Sequence, residues 1–163
     1  MTNQTQNLFI VEDDQTSAAK LHQFLETRFG TIFNIHTFSD ATKALEKVDK
    51  HTKIVILDYD YFGEKGNKIL EFIKVINPKT EVIILSSHGD IGEAIESYNN
   101  GASNYLIKNQ KTEKQLSSKI FDIISYPAKY LELRYGFSQF FVYLLFLFVV
   151  VGILVFLGMQ SIY

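Results

Sequence analysis

Short apolar runs alternate with amphipathic stretches over most of this chain. Most of these runs join β-branched and large apolar residues without a polar interruption, which is typical of strands covered on both faces in a parallel sheet. They predict strands at 7–11, 32–38, 53–58, 81–86 and 103–108. The intervening stretches carry apolar residues at helical spacing and predict helices at 14–29, 40–48, 67–76, 91–100 and 112–126.

This regular alternation of strand and helix indicates the fold class. Five strand–helix units predict an α/β fold with a doubly wound, five-stranded parallel sheet. Right-handed crossovers then place helices on both faces of the sheet. In such sheets ligands bind at the carboxyl ends of the strands, so the polar residues there are the candidates for chemistry.

Polar residues, glycine and proline mark the predicted boundaries of the helices. Asp14 and Ser39 are good N-cap residues, and we expect them to cap the first and second helices. The segment 59–66 contains two glycines and predicts a loop. Pro127 is expected to end the last of these helices.

The C-terminal segment has a different composition. No Asp, Glu, Lys or Arg occurs from 137 to 163, and 140–159 is almost wholly apolar. Twenty helical residues reach about 30 Å, the thickness of a hydrocarbon core. A buried core helix of this length usually keeps a polar face, so a transmembrane helix is the better interpretation.

The flanks of that segment predict its orientation. Lys119, Lys129 and Arg134 precede it, and no charged residue follows it. The positive-inside rule therefore predicts a single-pass protein whose N-terminal domain lies in the cytoplasm. The predicted organisation is a domain at 1–126, a juxtamembrane linker at 127–136, a transmembrane helix at 137–159 and a short non-cytoplasmic tail at 160–163.

Composition excludes several classes of function. The chain has no cysteine, which removes disulfides, thiol nucleophiles and thiolate metal sites. A net charge of -2 leaves no basic stripe for a phosphate backbone, so no nucleic-acid partner is expected. The four histidines lack the spacing of zinc ligands. The N-terminus "MTNQTQNLFIVEDD" has no basic n-region and does not predict a secretory signal.

Acidic, hydroxyl and basic residues follow the predicted strands directly. These strand-end residues are Glu12, Asp13, Asp14, Asp58, Ser86, Ser87 and Lys108. Carboxylates brought together at one sheet edge repel one another unless they share a proton or bind a divalent cation, and Mg²⁺ prefers such oxygen ligands. Ser86 and Lys108 suit a phosphoryl group, and Asp58 then becomes a nucleophile that can carry an aspartyl phosphate.

Four motifs carry a resemblance to a known family. They are "LFIVEDD", "VILDYDYFGEKG", "VIILSS" and "GASNYLIK", in this order. With them, residues 6–126 resemble a response-regulator receiver domain, the phosphorylatable module of two-component signalling. The resemblance implies a flavodoxin-like (βα)5 fold and a signalling phosphoacceptor rather than an enzyme, with only self-catalysed phosphotransfer and slow autodephosphorylation.

The resemblance also assigns a metal site. Asp58 matches the phosphoacceptor and also a metal ligand, and Asp13 matches the direct ligand of Mg²⁺ or Mn²⁺. Glu12 matches the second acid of the pair, and the backbone carbonyl of Asp60 completes the site.

Further positions match the switch of the family. Lys108 matches the lysine that pairs with the phosphoryl oxygens. Ser86 and Tyr105 match a hydroxyl that moves to the phosphate and an aromatic ring that turns inward behind it. Asp60 and His88 stand where side chains tune the lifetime of the phosphoryl group.

One position departs from the family pattern beside the lysine. Asn109 follows Lys108, where the family usually has a proline after a cis bond. A cis bond before a residue other than proline costs about 2.5 to 4 kcal/mol, so we expect a trans bond, a shifted loop and a displaced lysine.

Partners and location follow from the resemblance and the tail together. The expected donor is a sensor histidine kinase or phosphotransfer protein. The expected output surface lies on 91–100, the fifth strand and 112–126, and would form a homodimer or dock an unidentified membrane partner. The expected location is the bacterial inner membrane.

Two other interpretations stay open. "DYD" at 58–60 also resembles the nucleophile motif of haloacid-dehalogenase-type phosphatases. In that family the motif opens the first strand of the domain, whereas two strand–helix units precede it here. The other interpretation is a degenerate receiver that binds partners without phosphorylation, which Asn109 favours.

Overall fold

The computed structural model describes the backbone of residues 6–62, 64–135 and 139–160, and the side chains of 6–60, 66–125, 143–154 and 156–158. The described strands are β1 Gln6–Val11, β2 Phe33–Phe38, β3 Thr52–Asp58, β4 Glu81–Ser86 and β5 Asn104–Ile107. The described helices are α1 Gln15–Phe29, α2 Ala41–Leu45, α3 Tyr59–Phe62, α4 Glu64–Ile76, α5 Ile91–Asn99, α6 Thr112–Tyr135 and α7 Gln139–Gln160.

The strands form one parallel sheet in the order β2-β1-β3-β4-β5. This confirms the predicted five-stranded α/β sheet. Its three central strands are apolar on both faces, and Ile54 and Val55 of β3 and Ile83 of β4 are fully buried. That two-sided burial is why these strands read as uninterrupted apolar runs.

The N-cap of the first helix agrees with the sequence prediction, and that of the second does not. Asp14 Oδ1 accepts a hydrogen bond from Ser17 N at 2.6 Å and caps α1. The cap of α2 is Asp40, whose Oδ1 accepts from Thr42 N at 2.8 Å, so the prediction of Ser39 was wrong. Both residue types are good caps, and the extended backbone of Asp40 is what places its carboxylate over the helix end.

The loop predicted at 59–66 is largely helical. The short helix α3 starts directly after β3, and α4 begins at Glu64. Asp58 Oδ1 accepts a hydrogen bond from Asp60 N at 3.0 Å and so starts the turn. The segment holds no proline, so each residue in it can supply an amide to a helical turn.

The helix α6 also continues beyond its predicted end. It runs through Pro127 to Tyr135, so the predicted stop at Pro127 was wrong. A proline removes one intrahelical hydrogen bond, and the helical turns on either side of it remain. Most of the segment predicted as a linker at 127–136 is therefore helical, while 136–138 lies outside the described residues.

The chain divides into two compact units, Met1–Ile120 and Phe121–Tyr163. The first unit contains the whole sheet. The second contains α7, whose described side chains are mostly apolar and exposed, among them Phe146, Phe148 and Phe156.

In the part of the chain that the structure describes, no helix is both long and apolar enough to cross a membrane. The transmembrane helix predicted at 137–159 is therefore not found among these residues, and 161–163 of the predicted tail lie outside them.

Gly101 supports a stability prediction. It follows the C-cap residue Asn100 with a φ of +100°, and an added Cβ would stand 3.2 Å from Cε of Lys74. We expect Gly101→Ala to lower the free energy of unfolding by about 1–2 kcal/mol, because L residues are strained at positive φ. Denaturant titration of the full chain would measure this loss. The control Asn100→Ala, at a φ of -83°, should change stability by less than about 0.5 kcal/mol; equal effects of the two changes would contradict the prediction.

Candidate functional site

The carboxyl ends of four strands meet at one edge of the sheet. Asp58 ends β3 and pairs in register with Leu85, and Ser86 ends β4 in register with Ile107. Glu12 follows β1 directly, and its backbone amide donates to Phe38 O at 3.0 Å. The sheet register therefore brings the predicted acidic, hydroxyl and basic residues to the same level.

Three carboxylates form a cluster at this edge. Glu12, Asp13 and Asp58 offer oxygens that lie within 4.8 Å of one another. Glu12 and Asp58 are each 4% exposed, whereas Asp13 is exposed. Burial, followed by the hydrogen bond and the charge of Asp58, raises the pKa of Glu12 to about 7.

The donor set of this cluster fits a divalent cation. Carboxylate oxygens are the ligands that Mg²⁺ prefers, and the exposed Asp13 leaves one side open to the water molecules that this ion retains. Asp58 contributes to the raised pKa of Glu12, after burial, through its hydrogen bond and its charge, and a bound divalent cation would oppose that repulsion. Three of the four residues predicted to bind a metal, Glu12, Asp13 and Asp58, are thus brought together.

Lys108 lies against the same acids. Its Nζ is 2.8 Å from Asp58 Oδ2, 3.2 Å from Asp60 Oδ2 and 3.5 Å from Glu12 Oε2. Partial burial lowers the pKa of Lys108, but the hydrogen bond and charge of Asp58 outweigh it, so the pKa is raised and the ammonium form is favoured. A cation therefore stands beside the predicted nucleophile.

The displacement of Lys108 that we expected is not observed. The described residues contain no cis peptide bond, so the bond before Asn109 is trans as predicted. Asn109 holds the turn through its own hydrogen bonds, with its Nδ2 donating to Ile107 O at 3.0 Å and its Oδ1 accepting from Lys111 N at 2.7 Å. Lys108 N also donates to Ser86 O at 2.7 Å, and this backbone bond keeps the lysine in register with β4.

The Asp60 carboxylate makes contacts that sequence reasoning missed. It accepts hydrogen bonds from Ser86 Oγ at 3.1 Å, Ser87 N at 2.8 Å and Ser87 Oγ at 2.6 Å. Burial raises the pKa of Asp60, but the bonds from Ser87 and Lys108 outweigh it and lower the pKa to about 2. The signal available in the sequence was Ser87, a second hydroxyl residue directly after Ser86 at the end of β4.

The predicted switch residues are linked to one another at this edge. Ser86 is fully buried, and its Oγ accepts a hydrogen bond from His88 N at 3.1 Å. Tyr105 is partly buried, its ring lies 6.4 Å from that of Tyr59, and its OH is 3.1 Å from His88 O and 3.2 Å from Glu93 Oε2. The exposed His88 ring reaches Asp60, with Nδ1 3.5 Å from Oδ1.

A family model for the response regulator receiver domain matches residues 8–121. The chain belongs to this family. Receiver domains are the signalling phosphoacceptors of two-component systems and are phosphorylated by histidine kinases. Family membership and the described sheet together confirm the flavodoxin-like receiver fold.

Three relatives illustrate the similarity. The transcriptional regulatory protein ZraR of Klebsiella oxytoca is 28% identical over 109 residues, covering 66% of this chain and 24% of the relative. The DNA-binding transcriptional regulator NtrC of Escherichia coli K12 is 31% identical over 102 residues, covering 62% of this chain and 21% of the relative. A receiver domain protein from Clostridium thermocellum has a TM-score of 0.65 and 28% identity, covering 76% of this chain and 97% of that structure.

The chain spans about a quarter of the length of the transcriptional regulators it matches, such as ZraR. NtrC of Escherichia coli K12 is named as a DNA-binding transcriptional regulator. The expectation that no nucleic-acid partner is involved is therefore not supported.

The carboxylate cluster predicts a metal-dependent stability. Mg²⁺ at ten times its dissociation constant should stabilise the folded chain by about 1.4 kcal/mol, because it binds only the assembled site. A thermal unfolding series over Mg²⁺ concentration would measure the shift. Asp13→Asn should reduce the shift, since Asp13 belongs to the cluster.

The matched control for this experiment is Asp40→Asn. It removes the same charge at the N-cap of α2, where asparagine also caps well. Its Mg²⁺ shift should equal that of the unchanged chain. Equal shifts in all three proteins would show that Mg²⁺ acts elsewhere.

Proposed function

We propose that this chain is a response-regulator receiver that accepts a phosphoryl group on Asp58, with Mg²⁺, from a sensor histidine kinase or a phosphotransfer protein. The supporting observation is the placement of the Asp58 carboxylate between Lys108 Nζ, at 2.8 Å, and the oxygens of Glu12 and Asp13. An ammonium group and an acid pair suited to bind a metal therefore lie beside one buried nucleophile.

The proposed transfer is an in-line displacement. A carboxylate oxygen of Asp58 forms the bond to phosphorus as the phosphorus–nitrogen bond of the donor phosphohistidine breaks, and the imidazole leaves with the electron pair. Asp60 N donates to Asp58 Oδ1 at 3.0 Å and orients the nucleophile. Lys108 neutralises charge on the incoming oxygens. Glu12, Asp13, Asp58 and the carbonyl of Asp60 would hold the Mg²⁺, which supplies further neutralisation.

The output surface that we propose lies beside the switch residues. Ile91, Ile95 and Tyr98 of α5 and Ile107 of β5 are large apolar residues that are 44 to 75% exposed. Tyr105 joins this surface to the site through its hydrogen bonds to His88 and Glu93. Phosphorylation would alter this surface and so control a homodimer contact or the docking of a membrane protein. Asp60 and His88 would set the lifetime of the aspartyl phosphate.

The phosphoacceptor is tested by labelling. We expect the chain with Mg²⁺ and a labelled small-molecule phosphodonor to carry one stable phosphoryl group. Asp58→Asn should abolish labelling, because an amide is a poor nucleophile. Asp40→Asn, which removes a carboxylate outside the site, should label as the unchanged chain does. Intact-protein mass spectrometry measures each outcome.

Two other results would contradict this function. Rapid turnover with release of inorganic phosphate would favour the haloacid-dehalogenase-type phosphatase. An unlabelled wild-type chain would favour a degenerate receiver that acts without phosphorylation.

We also propose that segment 137–159 anchors the chain in the bacterial inner membrane, with the receiver at 1–126 in the cytoplasm, a linker at 127–136 and a tail at 160–163. The support comes from the sequence, which has no charged residue from 137 to 163, and from basic residues that precede this segment, among them Arg134. The described side chains of Leu147 and Leu154 on α7 are more than half exposed, as lipid-facing residues would be.

Anchoring is tested by extraction. The full chain should stay with membranes after alkaline carbonate treatment. The double variant Leu147→Arg with Leu154→Arg should be released, since each central arginine costs about 2.5–3.5 kcal/mol on insertion. The paired control Leu147→Val with Leu154→Val keeps the apolar character and should stay. Release of the unchanged chain from the membranes would contradict the proposal.

A further inference from the structure

We infer that the Asp60 carboxylate is an internal ligand of the pocket that would receive the phosphoryl oxygens on Asp58. We further infer that it holds the switch residues Ser86 and Tyr105 in the hydrogen-bonded arrangement described above before any phosphorylation. This inference rests on the proposed phosphoacceptor function for the identity of the competing group. It goes beyond a role in phosphate lifetime, because it concerns the unphosphorylated chain.

The first support is the set of donors around Asp60. Two hydroxyls, a backbone amide and an ammonium converge on its carboxylate, from Ser86, Ser87 and Lys108, at 2.6 to 3.2 Å. Such a set is what a phosphoryl group requires, because anionic oxygens are bound by hydroxyl, amide and ammonium donors. Ser86 and Lys108 are also the residues assigned to phosphoryl contacts, so one anion already occupies those contacts.

The second support is the attachment of Asp60 to the site. It stands two residues after Asp58, in the first turn of α3, and its amide donates to Asp58 Oδ1 at 3.0 Å. A ligand fixed in this way has a high effective concentration at the pocket. A phosphoryl group on Asp58 must therefore displace the Asp60 side chain in order to reach the same donors.

The third support is the path from the pocket to the output surface. Ser86 Oγ donates to Asp60 Oδ1 and accepts from His88 N, and Tyr105 OH is hydrogen-bonded at His88 O. Tyr105 N in turn donates to Tyr98 OH at 3.2 Å, on α5. The hydroxyl and the aromatic ring expected to respond to phosphorylation are thus connected to the Asp60 carboxylate in the unphosphorylated chain.

A simpler role for Asp60 makes different predictions. If its carboxylate only repelled an incoming anion, its removal would strengthen anion binding and leave the free protein unchanged. An internal ligand instead supports local structure, so its removal must also loosen the segments 86–93 and 104–107 in the free protein. The rate of amide hydrogen exchange in these segments of the free protein therefore distinguishes the two roles.

The test uses the full chain, purified in detergent, as wild type, Asp60→Ala and Asp60→Asn. The control Glu71→Gln removes one charge from an exposed position of α4. Hydrogen–deuterium exchange is measured on 86–93 and 104–107 in the free proteins and with Mg²⁺ and beryllofluoride, an analogue of the phosphoryl group. The dissociation constant of beryllofluoride is measured in parallel.

We expect amide exchange in both segments of Asp60→Ala to be faster than in wild type by on the order of tenfold, which matches the loss of charge-assisted hydrogen bonds. Beryllofluoride should restore protection, since it supplies the missing anion. Its dissociation constant should fall by on the order of tenfold, because the competing ligand is absent. Asp60→Asn should change both in the same direction, and Glu71→Gln should match the wild type.

Unchanged exchange in the free Asp60 variants would overturn the inference. This holds even if beryllofluoride binds more tightly, because Asp60 would then act through its charge alone. If no protein binds beryllofluoride and Asp58 is not labelled, the proposed phosphoacceptor function fails. The exchange of the free proteins still decides whether Asp60 supports the switch in that case.

Discussion

The burial of a carboxylate at the end of β3 is the constraint on which the site depends. Asp58 is 4% exposed and ends an apolar strand, so its charge needs compensation that solvent does not supply. Lys108, directly after β5, gives that compensation at 2.8 Å. The two residues meet because parallel pairing carries β3, β4 and β5 to the same edge. The ion pair is thus a consequence of sheet order as much as of residue type.

The site holds more negative charge than its lysine can balance. Glu12, Asp58 and Asp60 all lie within 3.5 Å of the same ammonium. Two of these acids differ in pKa. Burial, followed by the hydrogen bond and charge of Asp58, raises the pKa of Glu12 to about 7, whereas the bonds from Ser87 and Lys108 lower that of Asp60 to about 2. Glu12 belongs to the side where a cation would bind, and Asp60 has turned toward donors on β4. Under the proposed function, this division would place the cation on one side of the edge and the phosphoryl oxygens on the other.

The strands were predictable from the sequence, because burial on both faces leaves an uninterrupted apolar run such as that of β3. The strand-end residues were predictable for a related reason, since polar groups that follow such runs must converge. The cap at Asp40, the helical turns at 59–62 and 64–66 and the continuation of α6 past Pro127 were not predicted. Each depends on a local choice between hydrogen-bonded arrangements that differ by little free energy. The partners of the Asp60 carboxylate depend on the separation of α3 and β4, which no sequence period encodes.

The turn after Lys108 shows why a departure from the family pattern need not disturb the site. Lys108 is held on its N-terminal side by strand pairing, because its backbone amide donates a hydrogen bond to Ser86 O at 2.7 Å. Asn109 then closes the following turn with its side chain, and Thr112 Oγ1 accepts from Asn109 N at 2.6 Å to start α6. These side-chain hydrogen bonds fix the conformation of the turn, which a proline would fix through its ring. The position of the ammonium therefore rests on β5 and Asn109 together, and the same Ser86 that fixes the lysine backbone also binds Asp60. We therefore expect changes at Asp60, Ser86 and Asn109 to be coupled, because they share one short segment of sheet edge.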